Sequence, residues 1–323
     1  MNKKMMALLV TGVLATSLIA GCGGDKKDEK KSAKQQFVNI ATGGTAGAYY
    51  PMGGAIAEIL NKNIPGVNAS AQSTGASVAN INLLATGKVD MAFVQNDIAS
   101  YALAGTEMFK DKKVSGIQGL AALYPETIQI IALESSGIKN LADSKGKRVA
   151  VGAAGSGTEA NARQILEAAD LTYNDIKVQY LSFAEAASAL KDGNVDVAFV
   201  TAGVPTAAIQ DIATQNKIVL VPVQGDQADK LIKKYPFYTK QQVPAKTYPG
   251  QDSAVNAVAV QSMLVVSDKM SADLSYNIVK SIFSNLERMK SSHAIAKYID
   301  KKTATAGMSI PLAPGAKKFY EEK

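Results

Sequence analysis

The chain is poor in the side chains on which most enzyme chemistry depends. Its 323 residues hold one cysteine, one histidine and no tryptophan. The cysteine is Cys22, so everything after it is free of thiols. That excludes internal disulfides, zinc–thiolate sites and cysteine nucleophiles in the folded body. His293 stands late, in a segment rich in lysine and serine, and leaves no basis for a Ser–His triad or a histidine metal site. Carboxylates clustered at catalytic or calcium-loop spacing are missing as well. Arginine is almost as scarce, with only Arg148, Arg163 and Arg288. The composition therefore argues against an enzyme and implies no cofactor and no metal.

The formal charge of +7 comes mostly from lysine. Lys3 and Lys4 precede an uncharged stretch that runs into Leu18-Ile19-Ala20-Gly21-Cys22. This reads as a lipoprotein signal, residues 1–21, whose cleavage leaves Cys22 lipidated and the chain anchored on the extracytoplasmic side of the cell membrane. The alternative is a permanent anchor, since the stretch to Gly24 is about long enough to span a bilayer. Small residues before Cys22 and the Thr, Gly and Ser content favour cleavage. Residues 22–36, with five lysines against three acids and few apolar groups, form a solvated tether. Beyond it lysine is scattered, without the clustered basic face that nucleic acid requires.

What is present is a phrase said twice. Gly87-Lys88-Val89-Asp90-Met91-Ala92-Phe93-Val94 returns 106 positions later as Gly193-Asn194-Val195-Asp196-Val197-Ala198-Phe199-Val200. Each copy reads as a helix end, a turn and a buried parallel strand. Each also follows a strand, a glycine-rich loop and a helix. The repeat predicts an α/β fold of two Rossmann-like lobes with a ligand cleft between them. Lobe I takes residues 37–136 and 252–323, with lobe II, 137–251, inserted; the return lies between 225 and 252. Expected strands are Val38–Ala41, Val67–Gln72, Met91–Val94, Ile128–Leu133, Val149–Val151, Lys177–Leu181, the second repeat strand, Ile218–Val223 and Val255–Val266. Ser77 is expected to cap a helix running to Ala85. Asp90 and Asp196 fall at strand ends away from the cleft and are expected to hold turn amides.

Polar loops at the carboxyl ends of these strands supply the expected binding residues. From lobe I they are Gly44, Thr45, Tyr49, Tyr50, Ser73, Ser77, Gln95 and Asn96; only one of the two adjacent tyrosines should face the ligand. From lobe II they are Gly155, Ser156, Gly157, Thr158, Thr201, Ala202 and Gly203. Gly155-Ser156-Gly157-Thr158 is the sharpest motif, because glycines allow close approach and the following helix N-terminus attracts an anion. The same four residues also suit a plain strand-to-helix turn. The motif lacks a P-loop lysine, which disfavours nucleotide hydrolysis. Arg163 is more simply paired on the helix face with Glu159, its i−4 neighbour, than a ligand clamp.

Several blocks carry a family resemblance. Ile40-Ala41-Thr42-Gly43-Gly44-Thr45-Ala46-Gly47-Ala48-Tyr49-Tyr50-Pro51-Met52-Gly53 resembles the opening of the TAXI solute receptors of tripartite (TRAP) transporters. Ser77-Val78-Ala79-Asn80, Gln95-Asn96-Asp97, the stretch Gly155 to Arg163, and Pro311-Leu312-Ala313-Pro314-Gly315-Ala316 resemble further blocks of the same family, Ala313 standing where it often has histidine. The resemblance covers nearly all of the chain after Phe37. It implies a periplasmic-binding-protein fold that closes over a small carboxylate or amino acid, such as glutamate, glutamine or 2-oxoglutarate. A cation-coupled membrane permease would be its partner. A sensory lipoprotein presenting ligand to a signalling partner is the alternative.

Overall fold

A computed structural model of the protein describes residues 35–322; the signal segment, Cys22 and nearly all of the tether lie outside the described residues. The chain runs β1 (Gln36–Ala41), α1 (Tyr49–Asn63), β2 (Val67–Gln72), α2 (Ser77–Ala85), β3 (Met91–Gln95), α3 (Asn96–Ala104) and a long β4 (Ile117–Leu133). It continues with β5 (Arg148–Ala150), α4 (Gly157–Ala168), β6 (Lys177–Gln179), α5 (Phe183–Lys191), β7 (Val197–Ala202), α6 (Ala207–Gln215), β8 (Ile218–Val221), α7 (Gly225–Lys234) and β9 (Thr239–Val243). A second long strand, β10 (Val255–Ser267), leads to α8 (Ala272–Phe283), α9 (Leu286–Ser292) and α10 (Pro314–Glu321).

The strands join in the order β2-β1-β3-β10-β4-β7-β5-β6, with β8 on β4 and β9 on β10. This order is a palindrome in kind. Two parallel triplets, β2-β1-β3 and β7-β5-β6, flank the antiparallel pair β10 and β4. The two copies of the repeat are β3 and β7, the innermost strand of each triplet. Their phenylalanines, Phe93 and Phe199, are fully buried; burying such a side chain contributes about 1.5–3 kcal/mol.

The repeated aspartates act on strands, which corrects the expectation of turns. Asp90 Oδ2 accepts from the Asn39 amide at 2.8 Å, tying β3 to β1. Asp196 Oδ2 accepts from the Arg148 amide at 2.8 Å and pairs with the Arg148 guanidinium at 2.6 Å, tying β7 to β5. That partner holds the Asp196 carboxyl below its ordinary range.

Other boundaries move too. Ile128–Leu133 is only the second half of β4. β7 continues through Thr201 and Ala202, which are strand residues, not loop. Val151 and Leu181 fall just outside β5 and β6. The two triplets share one sheet and one compact unit. Among the described residues no helix is long and apolar enough to cross a membrane.

Candidate functional site

A pocket opens where the carboxyl ends of the two triplets meet. It is lined from the first side by Gly43, Gly44, Gly47, Ala48, Tyr49, Thr74, Gly75, Ala76, Ser77 and Gln95. The second side brings Ala153, Ser156, Gly157, Thr158, Ser182, Phe183, Thr201 and Ala202. No residue of this lining carries a formal charge. The space is about 70 Å³.

Four helices begin on it. The residue before each helix and its first residue both line the wall: Ala48 and Tyr49 for α1, Ala76 and Ser77 for α2, Ser156 and Gly157 for α4, Ser182 and Phe183 for α5. First-turn amides have no intrahelical acceptor and each helix start carries partial positive charge. An anion gains about 0.3–2 kcal/mol at each such end.

Glycines bring the walls this close. Gly152 and Gly155 have φ of 100° and 77°, where an L side chain is strained. A Cβ on Gly47 would touch the Phe183 ring at 3.3 Å, and one on Gly157 would run into Gln95. The Ala79 amide donates to the Gly155 carbonyl at 3.0 Å, fastening α2 to the loop before α4.

Polar groups fill the floor. Gln95 Nε2 donates to Asn161 Oδ1 at 3.1 Å, and Thr201 Oγ1 donates to the same oxygen at 3.1 Å. Asn161 Nδ2 donates to Asp97 Oδ2 at 3.0 Å and to Tyr238 Oη at 2.9 Å. This fixes the Asn161 amide, and through it the Gln95 amide. Gln95 Oε1 is left buried without a hydrogen-bond partner.

Below the floor lie two buried carboxyls. Asp97 is fully buried, and desolvation pushes it up to about 7 despite bonds from the Ile98 amide and Asn161. Glu126, on β4, is pushed up to about 8 by burial and accepts from Tyr49 Oη at 2.6 Å. Arg163 is engaged elsewhere, with Glu107 at 3.2 Å and Glu159 at 3.7 Å.

Residues 40–323 match the NMT1-like family. The chain belongs to that family. A putative aliphatic sulfonates-binding protein of Escherichia coli (strain K12) is 32% identical over 120 residues, 37% of this chain and 33% of that protein. The matched stretch thus spans only a third of that relative. The fold resembles that of a putative L-cystine ABC transporter from Listeria monocytogenes, at TM-score 0.52 and 18% identity over 82% of this chain and 98% of that one. It also resembles a methylphosphonate complex from Prochlorococcus marinus, at TM-score 0.53 and 10% identity over 82% and 91%. The fold of this NMT1-like chain is therefore that of periplasmic solute-binding proteins.

Within the NMT1-like chain, the pocket gathers Gly44, Tyr49, Ser77, Gln95, Ser156, Gly157, Thr158, Thr201 and Ala202 from the residues expected on sequence grounds. Thr45, Tyr50, Ser73, Asn96, Gly155 and Gly203 stand outside its lining. Tyr50 points to solvent while Tyr49 is buried. Ser73 Oγ donates to the Gly43 carbonyl at 2.9 Å. Asn96 turns away from the pocket, donating to the Gly307 carbonyl at 3.2 Å and accepting from the Gln261 amide at 3.0 Å. Gly155 uses its carbonyl for Ala79, and Gly203 abuts Ile295. Ser77 is the first residue of α2, not its cap; Ala76, at φ 68°, precedes it, and Ser77 Oγ accepts from the Gln95 amide at 3.2 Å. Ser156 is the cap of α4, accepting from the Glu159 amide at 3.1 Å.

Glu126 and Asn161 escaped sequence reasoning as floor residues. The signal for Asn161 is a polar side chain one turn into α4, on the face shared with Gly157. Glu126 follows Pro125 inside an apolar stretch, a pattern that reads as a strand break.

Proposed function

We propose that this protein is an extracytoplasmic solute-binding protein that holds a small organic anion, a carboxylate above all, between its two triplets. The observation that carries this reading is the convergence of four helix starts on a pocket whose lining bears no fixed charge. Such a site neutralises an anion with dipoles and hydrogen bonds, without an arginine clamp. The Ser156–Thr158 turn takes the anionic head and Tyr49 closes on it from α1. The triplets act as lobes, residues 37–136 with 252–323 and residues 137–251, whose closed arrangement alone offers both sets of contacts. Cys22 anchors the protein by lipid.

The resemblance to TAXI receptors supports glutamate, glutamine or 2-oxoglutarate as ligand and a TRAP-type permease as partner. The names of the matched proteins instead support sulfonate or phosphonate ligands and an ABC-type permease. All three anion classes present two or three oxygens to the same amides. Carboxylate is the smallest head and suits the narrow space. Calorimetry on ligand-stripped protein with a panel of carboxylates, amino acids, sulfonates and phosphonates tests the reading. Saturable heat with a carboxylate is expected; silence across the whole panel would sink it.

A further inference from the structure

The geometry points to Glu126 as a proton site coupled to the pocket: when an anion binds against Tyr49, the buried Glu126 carboxylate takes a proton from solvent, so that anion and proton are held together. This rests on the anion reading above.

Tyr49 is the link. Tyr49 lines the pocket and its hydroxyl donates to Glu126 Oε2 at 2.6 Å, so one residue touches both the pocket and the carboxyl. Glu126 is almost wholly buried, and the groups that act on it are Tyr49 from α1 and Asp97 from α3. Tyr124, on its own strand, stands close to it. From β10, Val260 lies directly opposite, and the nearby Ser262 contributes only a hydroxyl. His293, ahead of the 3₁₀ turn that packs on β4, accepts from the Ile295 amide at 3.1 Å. Among the described residues no lysine or arginine bears on Glu126 or on Asp97, whose surroundings are Asn161, Tyr101 and Tyr238. Ser262 stands beside the hydroxyls of Tyr49 and Tyr124.

An ionised carboxylate buried without a cation is costly, and a second anion brought near it in a low-dielectric interior raises the cost again. Protonation removes both terms. The pocket's dipoles favour the ligand anion. The carboxyl, already lifted to about 8, is close enough to neutrality to respond.

The experiment is calorimetric titration of the whole protein with 2-oxoglutarate and ethanesulfonate between about pH 6 and 8.5, where neither probe changes charge. Each pH is run in two buffers of different ionisation enthalpy to count protons. Proton uptake on binding is expected above about pH 7.5, with affinity falling towards tenfold per pH unit, the limit for one linked proton. E126Q should bind with a flat pH profile and no uptake. Y49F, which strips the carboxylate of its donor, should move the fall in affinity to higher pH, and it serves if E126Q fails to fold. Binding with no proton uptake and a flat wild-type profile overturns the coupling alone. The same slope in E126Q also overturns it. Absence of binding by any probe at any pH overturns the anion reading and the coupling together.

Discussion

A Cβ on Gly157 would run into Oε1 and Cδ of Gln95, and Gln95 has little room to yield because Asn161 holds its Nε2. In an open helix start, Gly→Ala stabilises by about 0.5–1 kcal/mol. Here overpacking should reverse the sign, with G157A losing about 1–3 kcal/mol in chemical denaturation. Its affinity for the ligand should drop at least tenfold by calorimetry. Asp97 supplies a pH test at the same scale. Its carboxyl is raised to about 7 in the folded protein. Between the ordinary carboxylate value and about 7, the native state keeps a proton that the unfolded chain has already released. Stability therefore falls as pH climbs through that window, and the penalty is complete above it. Denaturation at several pH values should show this decline in the wild type and a shallower one in D97N. D90A should cost about 1 kcal/mol through loss of the bond to the Asn39 amide, while ligand binding stays unchanged.

At the scale of the element, α4 carries the sharpest motif and the clearest dependence on it. Ser156 caps the helix through the Glu159 amide, and S156A should lower stability by about 1 kcal/mol. Since the same residue lines the pocket, affinity should fall with it, which a paired denaturation and calorimetry series would show. The strands and helices that lead into the two repeats were legible because apolar periodicity and glycine punctuation coincide there; α3 and α6, which follow the repeat strands, were not. β4 was only half legible. Gly119, Pro125 and Glu126 interrupt its first part, and its pairing with β10 across residues 117–128 is set by partners far away in sequence. α7 was invisible for a different reason. Only Ala228 and Leu231 are buried in a stretch of Asp, Gln and Lys, too few to mark a period.

For the whole molecule, the repeat foretold two similar units but not their junction. Residues at the tips of the expected loops divided accordingly. Tyr49 and Gly157, which start α1 and α4, reached the pocket, whereas Asn96, although it starts α3, was drawn away to fasten Gly307 and Gln261, long-range contacts with no local signature. Gln95 with Asn161 and Arg163 with Glu107 are among the contacts that join the two sides. Small-angle scattering should therefore record a smaller radius of gyration in the presence of ligand than after stripping it. No change in a protein that binds ligand would rule out closure by the lobes.

The chain leaves the first triplet along β4 and returns along β10, so both of its described ends, β1 and α10, belong to the same side. The mechanical consequence is a division of load. Tension applied between the two ends shears β1 from β2 and β3 and peels α10 from α8 and β4. It reaches β5, β6 and β7 only after β4 and β10 have parted. A protein held by its amino end and pulled at its carboxyl end would thus yield first in β2-β1-β3, leaving the α4 turn standing on an unstretched scaffold.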